Sequence, residues 1–228
     1  MFKGKKYRKV LEGVDRKREY PIEDAIKILK KSEMKFDQTV EIHMNLGVDP
    51  KHSDQVVRGT VVLPNGTGRK VRILVFCKDN NLQVAKDAGA DFAGGDDLAQ
   101  KIIGGWLDFD SVVATPDMMP VIGKVAKILG PRGLMPSPKA GTVTTNVANV
   151  IKELKAGKIQ YRVDKGANVH APVGKISFSV EALRDNVLSV LDSVKKAKPQ
   201  TSKGLYIKSF SITATMAPSI KLDMGLTR

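Results

Sequence analysis

The chain has 228 residues, of which 42% are hydrophobic, which is enough for one large domain or two modest domains with buried cores. Lysine and arginine outnumber aspartate and glutamate by 38 to 24, a formal charge of +14; this favours a polyanionic partner such as nucleic acid, although a charge excess can also serve solubility alone. The sequence has no apolar run of bilayer length, no secretory signal and only one cysteine, so we expect a cytoplasmic protein without an internal disulfide.

The first segment of the chain, up to residue 66, contains a helix pattern followed by a strand pattern. Residues 21–32 begin with proline, carry acidic residues in the first turn and lysines in the last, and have one apolar face, which predicts a helix. Residues 39–46 alternate strictly between polar and apolar side chains, which predicts a strand in a sheet with one open face. Residues 63–69 are dense in turn formers and mark the end of this segment.

Residues 67–158 follow a different rhythm, in which short apolar strands alternate with helices. The predicted strands are 71–77, 91–93 and 111–114, and the predicted helices are 82–88, 97–103, 118–129 and 146–155. This alternation predicts a Rossmann-like, three-layer α/β domain with a parallel sheet. Cys77 ends the first of these strands, where a buried role is expected.

From residue 159 the chain returns to the pattern of its first segment. We predict a hairpin from 159–163 and 169–180, a helix at 181–196 and a strand at 205–216. Because neither terminal segment has enough strands for a stable sheet, residues 1–66 and 159–228 are predicted to pair into one discontinuous α+β domain, with residues 67–158 inserted as the α/β domain. The two terminal segments carry 25 basic and 15 acidic residues, and therefore +10 of the net charge of +14.

Motifs for catalysis are weak in this sequence. The three histidines are His43, His52 and His170. They lack metal-ligand spacing with one another or with Cys77, and neither a nucleophile elbow nor a Walker phosphate loop occurs. The acidic residues at 96–97 and 108–110 could form metal-binding pairs, but their positions at a helix start and beside a turn favour capping. We therefore predict no catalytic site, no metal and no cofactor.

The predicted last strand carries a more informative pattern. Its apolar face consists of Phe210, Ile212, Ala214 and Met216, and its other face is a hydroxyl row of Ser209, Ser211, Thr213 and Thr215. Such a row can bind phosphate oxygens and ribose 2′-hydroxyls, although a solvated face of β-favouring residues explains the pattern equally well. Aromatic residues make up only 5% of the chain, which disfavours base stacking on single strands and favours folded RNA as the partner.

Several short strings, in a fixed order, cover essentially the whole chain. They include Leu-Gly-Val-Asp at 46–49, Gln-Val-Val-Arg-Gly at 55–59, Leu-Pro-Asn-Gly-Thr-Gly at 63–68, Leu-Gly-Pro-Arg-Gly-Leu-Met-Pro at 129–136 and His-Ala-Pro-Val-Gly-Lys at 170–175. In this order they resemble the family of bacterial large-subunit ribosomal protein L-one. The resemblance implies a split α+β domain that carries the main RNA-binding surface, and a hinged, inserted Rossmann-like domain.

The resemblance also implies a function and a set of contact residues. It implies a structural constituent of the large ribosomal subunit that binds folded rRNA, forms the mobile stalk assisting release of exit-site tRNA, and can repress its own operon by binding its mRNA. The protein would be a monomer when free, on cytoplasmic ribosomes, with neither a membrane nor a small-molecule substrate as partner. The predicted RNA-binding residues, with the hydroxyl row included, are Lys35, Phe36, Thr39, Glu41, Asp164, Lys165, His170, Ser209, Ser211, Thr213, Thr215 and Met216.

Two points are left open by the sequence. The family usually has glycine after the Thr-Met pair, whereas this chain has Ala217, whose Cβ atom disfavours a close backbone approach at that position. The alternative function is an RNA-modifying enzyme, such as a methyltransferase, with a nucleotide-like cofactor in the inserted domain. The absence of a glycine-rich dinucleotide fingerprint from the sequence speaks against that alternative.

Overall fold

The computed structural model describes residues 4–32, 34–202 and 204–227, and the chain separates into two compact units. The first unit is Met1–Gly68 together with Gly157–Arg228, and the second is Arg69–Ala156. The helices are α1 (Lys5–Glu12), α2 (Ile22–Lys30), α3 (Asp79–Asp87), α4 (Asp96–Ile103), α5 (Met119–Leu129), α6 (Val147–Lys155) and α7 (Val180–Lys196). The strands are β1 (Thr39–Leu46), β2 (Arg58–Val62), β3 (Ile73–Phe76), β4 (Phe92–Gly94), β5 (Ser111–Ala114), β6 (Lys158–Arg162), β7 (Asn168–Lys175), β8 (Ile207–Ala214) and β9 (Ile220–Lys221).

A four-stranded antiparallel sheet in the order β7-β1-β8-β9 lies at the centre of the first unit. Strand β1 has the alternation that its sequence predicts, since every second residue from Val40 to Leu46 is fully buried and the residues between are partly exposed. The buried side chains of this face belong to one core with those of α2 and α7. The polar side chains of the opposite face remain partly or fully exposed to solvent.

Strands β2 and β6 form a separate two-stranded ribbon in the first unit, with Val62 opposite Lys158. The chain leaves this ribbon through a turn at 63–68 and returns to it through Gly157. A Cβ atom on Gly157 would lie 2.5 Å from the Cα atom of Gly66, and Gly157 has a φ of 103°. Both the space and the backbone conformation therefore require glycine at this point, where the outgoing and returning chain are in contact.

A buried asparagine joins the two halves of the first unit. Asn186, in α7, is fully buried. Its side-chain oxygen accepts a hydrogen bond from the N–H of Asn65 (3.1 Å), and its amide nitrogen donates to the carbonyls of Gly66 (3.0 Å) and Val173 (2.7 Å). One side chain thus fixes the turn after β2 against both α7 and β7.

The second unit has a parallel sheet in the order β4-β3-β5, and helices cover both of its faces. Strand β3 is buried along its whole length, as expected for a parallel strand between two helical layers. Leu74 and Phe76 share a core with α4 and α5, while Ile73, Val75 and Cys77 share another with α3 and α6. The mixed α/β character predicted from the sequence is confirmed, and the separation into two independent domains stays a prediction.

Several of the predicted elements differ from the structure in pairing or in length. The strands at 159–163 and 169–180 do not form a hairpin, because β6 pairs with β2 and β7 pairs with β1. Strand β7 also ends at Lys175, and the chain turns before α7 begins at Val180. The last strand ends at Ala214 because the N–H of Ala217 donates to the carbonyl of Ala214 (2.8 Å) and closes a turn. Met216, predicted on the apolar face of this strand, lies beyond its end and is 69% exposed in the turn.

Candidate nucleic-acid interface

The polar face of the four-stranded sheet gathers residues from three distant parts of the sequence. Residues directly opposite each other on antiparallel strands point to the same side of a sheet. The strand register aligns three rows on this face, which are Asn168-Asn45-Ser209, His170-His43-Ser211-Lys221 and Pro172-Glu41-Thr213. We call these ten residues the polar sheet face. Five of the twelve predicted site residues belong to it.

The hydroxyl row of β8 is placed on this face as far as Thr213. The hydroxyls of Ser209 and Ser211 have no hydrogen-bond partner among the described residues, so both are free to bind an external group. The hydroxyl of Thr213 lies 3.3 Å from the carbonyl oxygens of Ala214 and Ala217, to which it can donate. Thr213 therefore keeps only its acceptor capacity for a ligand.

Thr39 and Thr215 meet at one end of the sheet. The N–H of Thr215 donates to the carbonyl of Thr39 (3.0 Å), and the Thr215 hydroxyl lies 3.3 Å from the same oxygen. Lys175 donates from Nζ to the Thr39 hydroxyl oxygen (2.8 Å). The Thr39 hydroxyl therefore accepts from a cation and keeps its proton to donate to an acceptor such as a phosphate oxygen.

Gln38 supports this end of the sheet from inside. It is 1% exposed, and its side-chain amide donates to the carbonyl of Thr215 (2.6 Å). Its backbone carbonyl accepts from the N–H of Ile176 (2.9 Å). Neither Gln38 nor Lys175 was predicted as part of the site. Gln38 was missed because nothing in the sequence indicates that a single polar residue between Asp37 and Thr39 is buried.

Two large apolar side chains are exposed close in sequence to this end. Phe36, in the bend before β1, is 47% exposed, and Met216 is 69% exposed. Met216 has a φ of 64°, an uncommon conformation for its residue type, and the turn holds its side chain outward. Ala217 is outside the left-handed region, so the turn itself does not require glycine at that position. Lys35 is exposed beside Phe36.

Asp164 orders the loop between β6 and β7. Its Oδ1 atom accepts hydrogen bonds from the N–H groups of Gly166 (2.8 Å) and Asn168 (2.7 Å), and its Oδ2 atom lies 3.4 Å from Nε2 of His170. These hydrogen bonds, led by that from Asn168, hold the pKa of Asp164 below its ordinary value. Asp164 thus works within the loop as an ionised acceptor, and leaves Lys165 exposed to a ligand.

One contact on the polar sheet face was not predicted. His43 and His170 are direct neighbours on β1 and β7, and their Nδ1 atoms are 2.6 Å apart. Burial, followed by the neighbouring His170, lowers the pKa of His43, while Glu41 acts in the opposite direction. His43 is therefore neutral at neutral pH. Only the register of β1 against β7 could have revealed the pair, since 127 residues separate the two histidines.

A small cleft lies beside the outer edge of the sheet. It has a volume of about 250 Å³ and is lined by Tyr7, Val14, Arg16, Pro218, Ser219 and Lys221. Lys221 belongs to the polar sheet face and Arg16 lies in the basic amino-terminal region. The two cations make this edge attractive to a phosphate group.

The acidic residues of the second unit bind cations of the protein itself. Asp110 pairs with Arg69 and with Nε of Arg72 (3.1 Å), and Asp108 pairs with Arg72 (3.2 Å). Asp96 pairs with Lys124 (3.1 Å). Gly95 occupies the N-cap of α4, and Asp97 in the first turn accepts a hydrogen bond at Oδ1 from the N–H of Gly95 (2.9 Å), which agrees with the predicted capping at this helix start. Asp108 and Asp110 pair with arginines, and Asp110 also accepts from the N–H of Arg72 (3.2 Å). Over the described ranges, no three His, Cys, Asp or Glu side chains are grouped to hold a metal ion.

Comparison with known families decides the identity of the chain. Residues 28–218 match the sequence model of the ribosomal protein L1p/L10e family. The chain belongs to this family. The matched range includes the whole second unit, most of the first unit and all twelve predicted site residues. As an L1p/L10e protein it is a structural protein of the large ribosomal subunit, and the alternative of an RNA-modifying enzyme is not supported.

Membership in the L1p/L10e family also gives the location. The protein is located on the ribosome. In the part of the chain that the structure describes, each helix is too short or too polar to span a membrane. Family membership does not determine which contacts the individual residues of the polar sheet face make.

Proposed function

We propose that the protein binds folded large-subunit rRNA through the polar sheet face and the adjoining end of the sheet at Thr39 and Thr215. The observation that carries the proposal is the strand register, which brings polar residues of β1, β7 and β8 together on one solvent-facing surface. Family membership supports rRNA as the class of ligand. The proposal includes the twelve residues predicted from the sequence as the RNA contacts.

The chemistry of this surface favours the RNA backbone over base edges. It presents hydroxyls, amides and imidazoles, which can bind phosphate oxygens and 2′-hydroxyls in the shallow minor groove of an RNA helix. Its cations lie at the periphery, at Lys35, Lys165, Lys175 and Lys221. If all four contact phosphates, the logarithm of the binding constant should fall with the logarithm of the salt concentration with a slope of roughly −3 to −4.

Filter binding to a folded fragment of large-subunit rRNA tests the proposal. Thr215→Val keeps the shape of the side chain and removes the hydroxyl, so it should weaken binding by about 1–3 kcal/mol if that hydroxyl is buried against RNA. Thr145→Val, at an exposed position in the second unit, is the matched control and should bind as the wild type does. Equal affinities of the two variants would remove Thr215 from the site, and a wild type without affinity for rRNA would refute the proposal itself.

The same proposal assigns different roles to the two units. The first unit acts as the RNA-binding domain, and the second as a hinged arm of the ribosomal stalk that assists release of exit-site tRNA. Residues 69–156 can be replaced by a short glycine-serine linker, because Gly66 and Gly157 are in contact. The shortened protein should retain rRNA affinity but fail to stimulate tRNA release from ribosomes. Loss of rRNA binding in a variant whose circular dichroism spectrum shows a folded first unit would contradict this division of roles.

We also propose that a second RNA, the mRNA of the protein's own operon, binds to the same surface. The protein represses its own operon, in this proposal, by binding an mRNA segment that is folded like the rRNA site. That segment should compete with the rRNA fragment for the free protein, which we take to be a monomer, and Thr215→Val should weaken both complexes equally. A leader RNA that binds without competing would contradict a shared site.

A further inference from the structure

Three side chains form a continuous line of hydrogen-bonding groups at the centre of the polar sheet face. Asp164 Oδ2 lies 3.4 Å from His170 Nε2, and His170 Nδ1 lies 2.6 Å from His43 Nδ1. The two rings meet edge to face, with centroids 4.9 Å apart. The line therefore runs from the loop after β6, through β7, to the middle of β1.

When both imidazoles are neutral, the ionised carboxylate at one end of this line determines which nitrogen of each ring carries the proton. The hydrogen bonds to Asp164 keep its pKa below the ordinary value, so the carboxylate only accepts. His170 must then donate from Nε2, and in its neutral form its Nδ1 atom is an acceptor. His43 must donate from Nδ1 to that acceptor, which leaves Nε2 of His43 without a proton.

A shared metal ion is the other arrangement in which two imidazoles approach each other. Two nitrogens bound to one tetrahedral zinc ion at about 2.0–2.1 Å are separated by roughly 3.3 Å. The observed separation of 2.6 Å is much shorter than that and lies near the lower limit of hydrogen-bond distances, which begin at about 2.7 Å. The geometry thus favours a shared proton over a shared metal.

The unprotonated Nε2 atom of His43 faces a polar environment. It has no hydrogen-bond partner among the described residues, and it is not one of the buried unpaired polar atoms of the structure. On the free side of His43, the register places Glu41 and Asn45 on the same strand and Ser211 on β8 as its polar neighbours, with Lys221 on β9 one strand farther. An acceptor at this point can bind a hydroxyl or amino group that belongs to a ligand.

We propose that His43 contacts RNA by accepting a hydrogen bond at Nε2 from a 2′-hydroxyl, and that His170 and Asp164, besides lying in the RNA-binding surface themselves, are positioning residues that hold His43 in the required tautomer. This inference rests on the proposed function, because it assigns a specific contact within the same surface. An acceptor of this kind distinguishes RNA from DNA, since deoxyribose has no hydroxyl to donate. The histidine thus contributes selectivity for ribose, whereas the lysines contribute charge.

Nitrogen NMR of the free, full-length protein tests the proton positions without RNA. The spectrum of the wild type at pH 7.5 should show His43 protonated at Nδ1 and unprotonated at Nε2, which is the minor tautomer of a free imidazole. In His170→Phe the donor at Nδ1 loses its acceptor, and His43 should revert to a mixture dominated by the Nε2-protonated form. A wild-type His43 protonated at Nε2, or a tautomer unchanged in His170→Phe, would overturn the positioning role.

Filter binding with two amide variants tests the RNA contact itself. A glutamine at position 43 places an amide near the position of Nε2, whereas an asparagine reaches only the position of Nδ1. His43→Asn should lower the affinity for the folded rRNA fragment about 2- to 13-fold, the range of one net hydrogen bond, and His43→Gln should recover most of that loss. The salt slope should not change in either variant, because a neutral acceptor releases no counterion, whereas Lys165→Ala should reduce the slope by about one.

The outcomes separate this inference from the proposed function. Wild-type affinity in His43→Asn, with normal binding of rRNA by the wild type, would overturn the contact and leave the proposed function intact. A slope that falls by about one in His43→Asn would indicate a charged histidine on a phosphate and would also overturn it. A wild type that binds no rRNA would refute the proposed function, and the NMR result would stand separately.

Discussion

Replacing Asn186 by alanine should destabilise the first unit strongly and leave the second unit unchanged. The substitution removes three hydrogen bonds to the backbone, of which the one to Val173 is fully buried. A buried carbonyl without a partner costs about 1–3 kcal/mol, while water can replace part of the two bonds to Asn65 and Gly66, which lie nearer the surface. We therefore expect the free energy of unfolding of the first unit to fall by roughly 3–5 kcal/mol.

The chain offers a natural pair of reporters for this measurement. Its single tryptophan, Trp106, lies in the second unit, and its four tyrosines all lie in the first. Urea unfolding followed by tyrosine circular dichroism should shift to lower urea in Asn186→Ala, while the transition followed by tryptophan fluorescence should stay in place. Ser189→Ala is the control on the same helix, because the Ser189 hydroxyl donates to a carbonyl of α7 (2.9 Å) and to no other group in the described part of the chain.

Either of two results would refute this reasoning. A loss of less than about 1 kcal/mol in Asn186→Ala would show that water satisfies the exposed backbone groups. An equal shift of the tryptophan transition would show that the two units unfold as one, which would also contradict the prediction of two independent domains. The control should change the stability by no more than about 0.5 kcal/mol.

Three further predictions concern packing and pH. Gly47→Ala would place a Cβ atom 2.2 Å from the carbonyl oxygen of Leu205, so urea titration should show a loss of about 1–3 kcal/mol. Burial acts to raise the pKa of Asp110, but hydrogen bonds from Arg72 outweigh it and hold the pKa below 3.8. The stability that Asp110 contributes is therefore present above pH 3.8 and lost as the pH falls below it. Asp110→Asn should lower the melting temperature of the second unit at neutral pH, and the melting temperature of the variant should fall less between neutral and acidic pH than that of the wild type. Burial, followed by Tyr161, raises the pKa of Tyr206 to about 12. Tyr206→Phe should cost about 1 kcal/mol at neutral pH and reduce the loss of stability between pH 10 and about 12, as measured by denaturant titration.

The elements with strong local patterns could be predicted from the sequence. Strand β1 begins at Thr39 and ends at Leu46 in both the prediction and the structure, because its alternation is strict and its ends are marked by a change of pattern. Helix α7 starts one residue before its predicted start, and Ser179 caps it by accepting from the N–H of Ala182 (3.1 Å). These features depend on neighbours within one turn or one strand, and such neighbours are visible in sequence.

The pairing of strands could not be predicted in the same way. The sequence at 159–163 and 169–180 predicts a hairpin because a turn separates the two strands. In the structure, however, β6 pairs with β2 and β7 pairs with β1. The contact between His43 and His170 depends on that pairing. The position of Met216 depends on the turn that closes between Ala214 and Ala217. These features depend on contacts between residues far apart in the sequence or, at Met216, on an uncommon backbone conformation. The periodicity of polar and apolar residues does not predict either.

The place of β1 in its sheet has a consequence for synthesis on the ribosome. Strand β1 lies between β7 and β8, and β7 is not complete until Lys175 has been made. Synthesis at about 5–20 residues per second leaves both edges of β1 unpaired for on the order of 10 s. The strands and helices of the second unit, in contrast, are all complete before β6 begins. The insert can therefore fold first, while the amino-terminal strand depends on chaperones or on its own polar residues to avoid aggregation.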